Sequence, residues 1–140
     1  MSRLRVRVVA AIALALGAAS TGHAPAAQAQ PPAPEAEARG LASEVVEIMT
    51  DLRMVLGSVS NAASARDAGP RLRELGTRLE TLSPRIGSLG TQDRATLADV
   101  VARDLPSVRG LAERVSELRG TEALWPDLEA AVARLQSWAG

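Results

Sequence analysis

Leucine or isoleucine occupies positions 72, 75, 79, 82, 86 and 89, in steps of three and four residues. That spacing is a heptad seam, one narrow apolar stripe along a helix. Arg71, Arg73, Glu74, Arg78, Glu80 and Arg85 fall between the seam positions and can remain in water. A single helix cannot bury such a stripe, so the rest of the chain must supply partners. Upstream, Leu41, Val45, Ile48, Leu52, Val55 and Val59 repeat the pattern, and Val46, Met49 and Leu56 widen it. A first helix is therefore predicted from about Ala38 to Ser58. A stripe of that width suits a helix with more than one neighbour.

Ser58 to Ser64, rich in Ser, Asn and Ala, reads as a turn. The second helix is expected to begin between Ser64 and Pro70, with Ser64 and Asp67 as a variant capping box and Pro70 in the first turn. Pro84 should kink that helix or break it at a restart on Ser83. Gly90–Thr91 and Gly120–Thr121 look like two stop-and-cap signals. Between them Leu97, Val101, Leu105, Val108, Leu111, Val115 and Leu118 mark a third helix, bent or split by Pro106 near Arg103. Leu124, Leu128, Val132, Leu135 and Trp138 mark a fourth. The expected fold is all-α: an antiparallel up-down-up-down four-helix bundle with proline-bent helices.

The first residues carry a different pattern. Arg3, Arg5 and Arg7 precede an apolar run from Val8 to Ala19, and Ala27-Gln28-Ala29 has the form of a cleavage site. The run is too short to span a bilayer. Residues 1–29 are thus expected to be a secretory signal peptide, cut after Ala29 or else after Ala24 or Ala26. Residues 30–40 read as a Pro-rich flexible linker and residues 41–140 as the helical bundle. A periplasmic or secreted location follows, with no stable membrane insertion once the signal is gone.

Composition narrows the chemistry. The chain has 140 residues, no cysteine, and one histidine, His23, inside the expected signal. All 16 cations are arginine, balanced by 16 acids. Losing Arg3, Arg5 and Arg7 would leave the mature chain mildly acidic, which gives no reason to expect nucleic acid as a partner. General acid–base and nucleophilic catalysis lean on His, Cys or Lys, so a non-enzyme is expected. No catalytic, cofactor-binding or metal-ligating residue is assigned. Glu44, Glu47 and Asp51 share one face of the first helix and could in principle hold a hard cation, but an ordinary polar face explains them more simply.

Charge speaks mainly of assembly. Residues 41–60 carry −2 and residues 64–90 carry +2, which suits these helices as neighbours. Asp67–Arg71, Glu74–Arg78 and Asp99–Arg103 have the spacing of intrahelical pairs. Asp104 lies beside the third seam and is expected to turn outward at the Pro106 bend. Met49 and Met54 are expected to fill gaps, Trp138 to close the open end of the bundle, and Trp125, beside Pro126, to be partly exposed and the first choice for a partner contact.

Two resemblances can be stated. The cadence of Met49–Ala68, MTDLRMVLGSVSNAASARDA, resembles the first hairpin of soluble exported haem-b cytochrome bundles, which implies Met49 as a ligand. Thr121–Gly140 has no histidine, so haem ligation does not carry over. The Ala/Leu-rich hairpin from Ser64 to Leu82 makes residues 45–135 look like small exported bacterial helical-bundle proteins, a likeness that implies no activity. The expected role is protein–protein contact, as a homodimer or with an unidentified partner, resting on a stripe on the first helix wider than one bundle would cover. The alternative is a small-ligand or haem-type binding bundle.

Overall fold

A computed structural model of the chain describes residues 33–140; the expected signal peptide and the start of the linker lie outside that range. Within it the chain forms four helices: α1 Pro34–Ser58, α2 Ala62–Gly87, α3 Thr91–Ser116 and α4 Trp125–Ala139. A single 3₁₀ turn, Glu122–Leu124, leads into α4, and there is no strand among the described residues. The fold is an all-α four-helix bundle.

Helix α1 starts earlier than the hydrophobic pattern indicates. It takes in Pro34 to Glu37, ahead of the expected start near Ala38 and within the stretch 30–40 read as a linker. The local chemistry explains this. Pro34 has the fixed φ of a first helical residue, Glu35 and Glu37 sit at the positive end of the helix dipole, and Arg39 pairs with Glu35 at 3.3 Å. Hydrophobic periodicity cannot see this extension because nearly all of its side chains are exposed.

The start of α2 also differs from expectation. Asn61, not Ser64, is the N-cap: its Oδ1 accepts from the amides of Ala63 and Ser64 at 2.9 and 3.0 Å. Ser64 sits at N3, and its hydroxyl accepts from the Asn61 amide at 3.1 Å, completing a reciprocal box. Moving the start back to Ala62 places Pro70 inside the helix, not in its first turn. Likewise Gly90 occupies the N-cap of α3 and Thr91 its first turn.

Neither α2 nor α3 is split by its prolines. The helices run on through Pro70, Pro84 and Pro106. All three prolines are exposed, and the carbonyls left without a donor belong to Arg66, Glu80 and Ala102 on the same outer sides. Water can bond those carbonyls, which relieves the cost that an interior proline would impose.

The seams close on one aliphatic core. Leu72, Leu75, Leu79, Leu82 and Ile86 of α2 are buried, as are Leu41, Val45, Ile48 and Leu52 of α1. From α3 come Leu97, Val101 and Val108, and from α4 Leu128 and Leu135. Fully burying one such side chain contributes about 1.5–3 kcal/mol. Met49 and Leu56, which widen the α1 stripe, are fully buried too. Bundle neighbours therefore cover most of the stripe, and only Val46 is left at its exposed edge.

Helix α1 packs against α2 and α3, and α4 packs against the same two helices. Helices α2 and α3, joined by only Ser88–Gly90, share no principal interface. Arginines from α3 close two helix ends. Arg94 donates to the carbonyls of Gly87 and Leu89 at 2.9 and 3.1 Å, and Arg114 donates to that of Leu56 at 2.8 Å. A cation at a C-terminus satisfies orphan carbonyls and opposes the dipole.

The connection from α3 to α4 is tightly held. Gly120 has φ +82°, and a Cβ there would approach the Ala62 Cβ to 2.6 Å. Thr121 is the buried polar residue of the described chain; its hydroxyl lies 2.8 Å from the carbonyls of both Val115 and Leu118, which share its one hydrogen. It thus seals the end of α3 and does not cap α4.

Candidate functional site

The helix seams differ in how their charged side chains are used. At the α1/α2 seam, Arg85 donates to Glu44 at 3.1 Å, and Arg78 meets Asp51 at 3.4 Å and Glu47 at 3.9 Å. The three carboxylates that could have suggested a cation site are engaged by arginines of the next helix. No group of three or more His, Cys, Asp or Glu side chains among the described residues is arranged to hold a metal.

At the α1/α3 seam, Arg53 faces Asp104 at 3.9 Å. Asp104 is half-buried against α1, not turned out to solvent, because α3 keeps its register through Pro106. At the α2/α4 seam, Arg134 donates to the Ser83 hydroxyl at 2.9 Å and meets Glu80 at 3.7 Å. The intrahelical pairs Asp67–Arg71, Glu74–Arg78 and Asp99–Arg103 do not form within 4.0 Å; Arg78 reaches across to α1 instead.

The α3/α4 seam is different. Among the described residues no ion pair crosses it. It opens into a groove of about 560 Å³. Its floor is Ala112, Leu128 and Val132, continuous with the core. Arg109 and Glu113 of α3 and Glu129 of α4 line it and are exposed, with no ion-pair partner. Trp125 also lines the groove and is 38% exposed.

The other sequence-singled residues fall into place around this. Trp138 is half-buried against the core near the end of α4. Met49 is wholly buried among aliphatic side chains. Met54, expected to fill a gap, is instead 58% exposed, eight positions along α1 from Val46. Isolated exposed apolar residues of that kind are common on soluble proteins. Sequence reasoning marked Trp125 but missed Arg109, Glu113 and Glu129. No signal in the sequence marks them, since the acid-first pairs Asp67–Arg71 and Asp99–Arg103 are also left unformed.

No helix among the described residues is long and apolar enough to cross a membrane. No family model matches the sequence, and no curated protein or solved structure matches it either.

Proposed function

We propose that this is an exported, non-enzymatic helical-bundle protein that works by protein–protein contact, and that the contact surface is the α3/α4 seam. One observation carries the proposal: an exposed tryptophan lines an apolar-floored groove whose charged residues lack ion-pair partners. Tryptophan and arginine are the residue types that dominate binding energy at protein interfaces.

Export is supported by the basic start, the apolar run from Val8 and the Ala27-Gln28-Ala29 site. A non-catalytic role is supported by composition, since outside His23 the chain has no His, Cys or Lys. The likeness to small exported bacterial bundles fits the same reading. An up-down-up-down order with antiparallel hairpins is part of it, supported by the register of the ion pairs. Glu44 stands opposite Arg85 and Asp51 opposite Arg78, so numbering runs in opposite senses on α1 and α2.

The test is site-specific photo-crosslinking in producing cells, with the reactive group at position 125 or 136 and a control at Arg71 on the far side of α2. A discrete protein adduct from positions 125 and 136, absent from position 71, is expected. No adduct from either groove position would overturn the proposal.

A further inference from the structure

Resting on the reading of the α3/α4 seam as a contact surface, we infer that its partner is a second copy of this chain, docked about a two-fold axis between Arg109 and Glu113. The charges on this face of α3 are self-complementary. Arg109 and Glu113 are four residues apart on α3, both exposed, and neither is ion-paired. Their basic-then-acidic order is the weaker of the two for pairing with each other. An antiparallel copy of α3 centred between them sets each Arg109 opposite the other copy's Glu113. An isologous interface needs such a patch, carrying both signs in an order that complements its own rotation.

The grooves agree with that axis. On one side of the Arg109–Glu113 pair lies the groove lined by Trp125 and Ser116. On the other side a second groove of about 350 Å³ shares Arg109 and Glu113 and is lined by Ala102, Pro106, Gly110 and Ala139. The two-fold rotation carries Ser116 onto the position of Pro106, so Trp125 of each copy faces the other's small-residue groove. A Cβ at Gly110 would meet nothing within 4 Å, so the facing surface is open. Buried tryptophan supplies the apolar area there, and the two charge pairs fix the register.

The test is sedimentation equilibrium of the purified protein across the micromolar range, with charge-reversal variants. The native chain should associate to twice its monomer mass. Arg109→Glu and Glu113→Arg should each weaken that association by roughly tenfold or more, because each sets like charges in opposition. Mixing the two variants should restore a dimer containing one of each, since every facing pair is then of opposite sign. Gly110→Gln, which improves helix propensity while filling the groove, should give a stable monomer by circular dichroism and sedimentation. A native chain that stays monomeric, or a variant mixture that fails to associate, overturns the inference. If the native chain is monomeric while position 125 still crosslinks a different protein, the dimer is wrong and the contact surface stands. If crosslinking also fails, both are wrong.

Discussion

The α1/α2 and α3/α4 seams are built from the same materials and finish differently. Both are helix pairs with aliphatic floors and flanking arginines and carboxylates. Across α1/α2 the acids lie on one helix and the arginines on the other, so Arg78 and Arg85 find partners across the gap. Across α3/α4 the arginine and an acid share one helix and the second acid lies on the other. Arg109 and Glu129 carry opposite signs on facing helices, yet no ion pair joins them. The lesson is that opposite charges on facing helices close a seam only where the packing brings them within reach of one another. Exposed ion pairs contribute at most about 1 kcal/mol each. The open seam therefore costs the bundle little stability, and its significance lies in what it leaves free to bind.

Five substitutions in three tests probe that contrast, beginning with the largest effect. Leu79→Ala removes a fully buried side chain of the core beneath the closed seam. It should lower unfolding free energy by about 2–5 kcal/mol in chemical denaturation. Val132→Ala, under the open groove and only half-buried, should cost well under half as much; equal losses would mean that the groove is packed as tightly as the core.

Gly120→Ala probes the joint where the α3–α4 connection meets the start of α2. Its positive φ and the close approach to Ala62 should together cost about 1–3 kcal/mol. A neutral result in the same denaturation assay would show that the connection shifts freely, so that it does not hold the α4 side of the groove in place.

Arg78→Ala and Arg109→Ala form the smallest and sharpest comparison. Arg78→Ala should lose up to about 1 kcal/mol, with the loss shrinking as salt is added. Arg109→Ala should leave the unfolding of the isolated subunit unchanged within about 0.5 kcal/mol, since no ion pair is broken. A larger loss at Arg109 than at Arg78 would reverse the assignment of closed and open seams.

Much of this was legible in the chain. Most positions of the heptad from Leu72 to Leu89, of the stripe on α1 and of the seams of α3 and α4 are buried; Leu89 lies beyond the end of α2, and it, Leu111, Leu118, Val132 and Trp138 are half-buried. The ends of the helices were less legible, because caps are local hydrogen-bond choices among similar polar residues. Asn61 and Ser64 both cap well in isolation, and only the built turn shows that Ser64 serves as the reciprocal partner. The prolines, expected to kink or break their helices, leave both unbroken for a related reason. Their cost depends on whether the freed carbonyl meets water, and exposure at Pro70, Pro84 and Pro106 is a property of the bundle. Of the candidate site, Trp125 was legible as an aromatic beside a proline. Arg109, Glu113 and Glu129 were not, since an exposed charge is unremarkable until its neighbours are known.

The order of apolar positions by itself determined that the chain is helical and which face of each helix leaves water, because burial of aliphatic surface follows the helix repeat. The tertiary structure alone decided who neighbours whom. It set α4 against α2 and separated α2 from α3 despite their three-residue link. That choice comes from fitting four unequal ridged surfaces together at once, and α4, with 15 residues against 25 or 26 in the others, is the odd member. The pairing of α3 with α4, and with it a seam whose charges are left unpaired, is a consequence of that fit and is written in no single stretch of the sequence.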